Sequence, residues 1–213
     1  MTKKLIAYGL IALVAAASAV PARAAVEMNI AAGLNLSRLT GRGTTIPWTN
    51  RFGFAGGFFV TLTAGDNFSI QPGFLYSQKG AVLEETIPEG TLQTMMVFSY
   101  FDFPLVARLG LPLGEGGSFR IYVLGGASYC LKLKSSVRVD LIRDDFPTGL
   151  EDSPAEGFKA GGFAAVAGGG FDFAVKGGRL LLEFRYSRDL KTISSQGQDI
   201  RFTALTILFG YSF

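Results

Sequence analysis

The chain has 213 residues, with 20 Lys+Arg against 17 Asp+Glu, one cysteine and no histidine. That inventory excludes Ser-His-Asp chemistry, His-ligated metals, thiolate metal clusters and an intramolecular disulfide. Hydrophobic residues make up 48%, and 28 glycines accompany 19 phenylalanines, a pairing that favours strands, tight turns and aromatic girdles over helical packing.

In chain order, Lys3 and Lys4 precede an apolar run from Leu5 to Val20, which is followed by Pro21-Ala22-Arg23-Ala24. This is the order of a secretory signal peptide with an A-x-A cleavage pattern. The run is shorter than the roughly twenty residues a spanning helix needs. Residues 1–24 are therefore expected to be a cleaved signal and 25–213 a single domain. Lys3, Lys4 and Arg23 account for the whole basic excess, so the mature chain balances 17 cations against 17 anions. Nothing in that balance points to nucleic acid.

Past the signal, apolar residues come in period-two pulses that predict eight strands, at about 26–37, 51–64, 67–78, 96–110, 118–132, 160–175, 179–190 and 200–213. The seventh shows the pattern best, with Leu180, Leu182, Phe184 and Tyr186 alternating with Leu181, Glu183, Arg185 and Ser187. A helical period would place Glu183 and Arg185 among the leucines. The connectors alternate in length. Gly65-Asp66, Leu111–Gly117 and Lys176–Gly178 are short, whereas 38–50, 79–95, 133–159 and 191–199 are long. Short turns alternating with long polar loops predict an all-β, eight-stranded antiparallel up-and-down transmembrane β-barrel, its short turns periplasmic and its long loops outside. The final strand carries Leu205, Ile207, Phe209, Tyr211 and Phe213 on one face. A strand of this kind ending in Phe resembles the assembly signal of bacterial outer-membrane barrels, which implies that Phe209, Tyr211 and Phe213 are read by the barrel-assembly machinery.

With the apolar faces turned to lipid, Gln71, Asp102, Arg108, Arg120, Asp172, Glu183 and Arg185 fall in the lumen. An eight-stranded barrel is just wide enough for side chains to fill, so these charges must pair. The expected network joins Asp102, Asp172 and Glu183 to Arg108, Arg120 and Arg185 as a structural plug, with a selective pore or ligand cavity as alternatives. Cys130 shares the inward phase as a packing residue. Asp144-Asp145 and Glu151-Asp152 read as a solvated acidic loop, because their spacing does not match an EF-hand. Gly168-Gly169-Gly170 lies within a strand and precedes no helix, so it is no phosphate loop. No catalytic, cofactor-binding or metal-binding residue is expected.

Four segments carry a family resemblance: Phe68–Gly80, Tyr100–Leu105, Leu182–Ser187 and Leu208–Phe213. With these the chain resembles the PorT-like outer-membrane β-barrel proteins, departing from the pattern at Asp189, where that family usually carries Gly after Tyr-Ser. The resemblance implies a barrel and no chemistry. The expectation is a non-enzymatic outer-membrane barrel, in contact with lipid and lipopolysaccharide, with a structural or surface-interaction role carried by its outer loops. The alternative is a narrow channel or an accessory part of a transport or secretion machine.

Overall fold

A computed structural model describes residues 25–42, 48–88, 90–143, 146–196 and 199–213. The proposed signal, residues 1–24, and Asp144-Asp145 lie outside them. Among the described residues nine strands follow in order: β1 (Ala25–Arg42), β2 (Thr49–Ala64), β3 (Phe68–Ile87), β4 (Gly90–Leu113), β5 (Phe119–Arg143), β6 (Phe146–Pro154), β7 (Gly161–Val175), β8 (Gly178–Asp189) and β9 (Asp199–Ser212). All pairings are antiparallel. β1 pairs with both β2 and β9, and β4 pairs with β5, so eight strands close in the order β1-β2-β3-β4-β5-β7-β8-β9. Closure leaves the wall without an open edge, which lipid could not satisfy. The last strand is fastened to the first by reciprocal 2.9 Å bonds between the backbones of Met28 and Phe213.

Period two sorts the side chains. Outward residues form an exposed apolar band that includes Val26, Ile30, Phe52, Phe58, Leu105, Leu109, Val123, Phe173, Phe184 and Phe209. At the chain's end the band runs from Leu205 on β9 to Phe213 just past it, matching the 9–11 residues that cross hydrocarbon at a tilt. Aromatic residues gather at both rims: Phe101 against Tyr76 and Tyr129 against Phe163 at one, Phe119 against Phe173 and Tyr211 against Phe213 at the other. So wide an apolar surface around a closed wall belongs in a bilayer.

The spans 79–95 and 133–159, expected as loops, are mostly strand. β3 and β4 continue as a hairpin to Ile87↔Gly90, and β4 stays paired with β5 as far as Thr91↔Ile142. β5 then turns back into β6, the ninth strand, which pairs with β5 alone and lies outside the ring. Val82, Val97, Val137 and Val139 supply β-branched residues here, and Gln93 donates to Glu84 across the hairpin at 2.9 Å. From Tyr100 to Gly90, β4 rises roughly 30 Å beyond the aromatic rim at the usual strand rise. A bulge at Leu133, opposite Ser99 and Tyr100, marks where the wall gives way to this extension.

Candidate functional site

The interior is filled in three layers. The lowest, at the end with the short turns, is ionic. Asp172 on β7 accepts from Arg120 on β5 at 3.1 Å, from Arg179 on β8, and lies 3.9 Å from Arg108 on β4. Arg120 also reaches Glu27 on β1 at 3.3 Å, and the Ser212 hydroxyl on β9 donates to Glu27. Arg108 donates to the Thr61 hydroxyl on β2, which also accepts from Asn29 and from Gln71 on β3. The Gln71 carbonyl accepts from Arg185 at 2.8 Å, and Arg185 pairs with Glu183, which accepts from the Tyr122 hydroxyl at 2.9 Å. One connected network thus takes a side chain from every strand of the ring.

Aromatic faces support two of its cations. The Arg108 guanidinium lies 3.7 Å from the Tyr122 ring centre and that of Arg185 lies 4.3 Å from Phe59. Two inward glycines make room for those rings. A Cβ at Gly73 would come within 2.3 Å of Phe59, and one at Gly170 within 2.7 Å of the Tyr122 hydroxyl. Gln71 and Glu183 are each only 2% exposed, so a charge or amide left without its partner would be costly.

The middle layer holds a separate pair. Lys79 on β3 meets Asp102 on β4 at 3.1 Å, with the Cys130 sulfur 3.7 Å from Nζ. Asp189 on β8 accepts the backbone N–H of Phe202 at 2.9 Å. A cavity of about 30 Å³ lies beside this pair, bounded by Leu75, Ser128, Cys130, Val166 and Arg185. It has room for a water molecule or two and no more.

The outer layer is apolar. Phe98, Tyr100, Phe202, Leu39 and Cys130 are buried together, with Trp48, Met96 and Phe158 packed against them. Phe158 meets Phe98 edge-on at 4.8 Å and Phe202 does so at 5.1 Å. Phe158 comes from the segment after β6, which folds back over the mouth. Its backbone bridges to Ser194, and Lys159 N–H donates to the Ile193 carbonyl, so two outer connections are joined above the opening.

The seven residues selected from the sequence all face inward, and six are buried, Arg120 being half-buried at the lower rim. Their pairing differs from the expected network. Asp102 does not join Arg108, Arg120 and Arg185; it pairs with Lys79, nearer the mouth. Lys79 lies one residue past the expected third strand, 67–78, although it continues the inward phase of Gln71. Glu27 and Arg179 sit at strand starts, where alternation has barely begun. Tyr122 shares the phase of Arg120, but its aromatic ring reads as lipid-facing. Phe209 and Phe213 are exposed on the outer wall, with Tyr211 beside them and half-buried.

The family described as "Outer membrane protein beta-barrel domain" matches residues 17–194. The chain belongs to that family. It is an outer-membrane β-barrel, and its apolar band lies in that membrane. Among solved structures, it is similar to Ail, the attachment invasion locus protein of Yersinia pestis, in complex with the heparin analogue sucrose octasulfate (16% identity, 88% of this chain and 99% of that one, TM-score 0.44). It is also similar to Neisserial surface protein A (11%, 87% and 97%, 0.45) and to OprG of Pseudomonas aeruginosa (14%, 89% and 97%, 0.38). No functionally curated protein matches the chain.

Proposed function

We propose that this outer-membrane β-barrel is a non-enzymatic surface-interaction protein, working through the sheet of β3, β4, β5 and β6 that stands above the membrane. The observation that carries this reading is the filled lumen: the ionic layer below and the packed Phe98, Phe158 and Phe202 above, with the cavity between them admitting only water. A barrel closed at both levels offers solutes no path, whereas the extension stands clear of the membrane on the barrel scaffold, where binding surfaces usually reside. Within the family, the segments Phe68–Gly80, Tyr100–Leu105, Leu182–Ser187 and Leu208–Phe213 support a place among the PorT-like barrels. Residues 1–24 would be removed on export, and Phe209, Tyr211 and Phe213 would present the strand that the assembly machinery reads.

Planar-bilayer recording on the purified protein tests the reading. Silence is the expected result. Stable single-channel steps from the wild-type chain would overturn it in favour of a narrow channel.

A further inference from the structure

The outer wall changes character abruptly on one side of the barrel. Across β1, β9 and β8, the outward residues Leu36, Leu205 and Tyr186 lie in one register row, and the next outward row is Arg38, Thr203 and Arg188. One further step up, Thr40 pairs with Arg201. Two residues of strand, about 7 Å, therefore separate the top of the apolar band from a row with an arginine on each side of a threonine. Arg38 and Arg188 are exposed, and among the described residues neither has an acidic partner. Arg201 is held by both oxygens of Asp199, at 2.9 and 3.3 Å. The Thr40 and Thr203 hydroxyls lie 3.4 Å apart between the basic groups. Thr40, Gly41, Arg188, Asp199 and Arg201 line a shallow pocket on the outer wall, and among the described residues Asp199 is the one acid in it.

Two flanking guanidinium groups of this kind suit a phosphate. Strands are about 4.8 Å apart, so Arg38 and Arg188 stand about 10 Å from each other across Thr203, within reach of one anion held between them. The height of the row selects the source. An anion held here against the wall has apolar side chains directly beneath it, which a soluble phosphate cannot use and the acyl chains of a membrane amphiphile can. The opposite wall is built differently at this level. There Gln78 donates to the Tyr76 hydroxyl, which also bonds the Ser99 hydroxyl on the outer face, and the strands continue upward as the extension.

We propose that the face formed by Arg38, Thr203 and Arg188, with Thr40 and Arg201 above, is a binding site for the phosphate of a phosphorylated glycolipid of the outer leaflet, whose acyl chains lie along Leu36, Leu205 and Tyr186. The site depends on the barrel's place in the membrane and not on the role of the extension or on the closed lumen.

The test uses the full mature chain in detergent micelles, titrated with diphosphoryl lipid A. The Arg38→Ala/Arg188→Ala variant should weaken the apparent Kd by about tenfold or more, each single variant should lose part of that, and Lys176→Ala in the opposite-end turn between β7 and β8 should bind as the wild type does. Heat-modifiable gel mobility of each variant establishes that the barrel is folded before binding is compared. Fully dephosphorylated lipid A should bind at the level of the double variant. Unchanged affinity in the folded double variant would overturn the site. Competition by inorganic phosphate at concentrations comparable with the lipid would overturn the glycolipid assignment, since the acyl chains would then contribute nothing.

Discussion

The Tyr122 hydroxyl reaches across β7 at Gly170 to donate a 2.9 Å hydrogen bond to the Glu183 carboxylate on β8. The three residues occupy one register row, and the contact is possible because the middle one has no side chain. The same carboxylate is held from its other oxygen by Arg185, which is tied onward to Gln71. Interior spacing and interior electrostatics are therefore coupled at a single glycine.

That coupling is measurable. Tyr122→Phe should lower stability by about 1–3 kcal/mol by leaving one Glu183 oxygen without its donor. Gly170→Ala should also destabilise, because the new methyl falls 2.4 Å from the Leu182 carbonyl oxygen and 2.7 Å from the Tyr122 hydroxyl. In the Tyr122→Phe background part of that clash is gone, so the alanine should cost less than it does alone. Urea midpoints of the four proteins in lipid vesicles close the cycle, and strict additivity would show that the two residues act separately.

Glu183→Leu should destabilise more than Glu183→Gln. Leucine leaves Arg185 buried without its carboxylate, a loss of about 3–5 kcal/mol for a fully buried pair, whereas glutamine still accepts from Tyr122 or Arg185. The urea midpoint is the measurement. Equal midpoints for wild type, Gln and Leu would mean that the layer is wet and wide.

How far the interior could be read from sequence follows from where period two is strong. β8 alternates without interruption, so Glu183 and Arg185 were legible as inward and are inward. The closed ring of eight strands was legible for the same reason, reinforced by the turns Gly65-Asp66 and Lys176–Gly178. Alternation assigns a face but not a height or a partner. Asp102 and Asp172 have the same inward phase, yet their strands place them in different layers, and Lys79 lay one residue past the expected end of its strand. The extension was hidden for another reason. Outside the bilayer both faces of a strand can be polar, and Glu84, Glu85, Lys134, Arg138 and Asp140 make those stretches of β3 and β5 read as loop. The residues that seal the mouth, Phe98, Phe158 and Phe202, come from β4, a connecting segment and β9, so their meeting is a product of closure.

Lys79 and Asp102 form a buried pair that should show the asymmetry of such contacts. Lys79→Met alone should destabilise by about 3–5 kcal/mol, because Asp102 is left charged and unpaired beside an apolar layer. Lys79→Met with Asp102→Leu should recover much of that loss, since neither charge is then left unpaired and Leu75, Val166 and Ala164 offer apolar contacts beside Ser128, Thr206 and Arg185. Recovery is read from urea midpoints in vesicles. A double variant as unstable as the single one would assign Lys79 and Asp102 partners beyond each other.

The aromatic layer and the ionic layer can be separated by removing one of them. Phe98 is fully buried and Phe202 nearly so, and each packs edge-on against a neighbouring ring, so Phe98→Ala/Phe202→Ala opens a cavity near the mouth and should cost about 3–5 kcal/mol per ring at most. The barrel should nevertheless remain silent in planar bilayers. Beneath the plug, Arg108, Arg120 and Arg179 still converge on Asp172, and Arg185 still spans from Glu183 to Gln71, so the lumen stays closed at the lower level. Conductance steps from the double variant would show that the ionic layer is permeable and that the phenylalanines alone hold the barrel shut. That outcome would turn the closed lumen into a gate and move the functional reading towards transport.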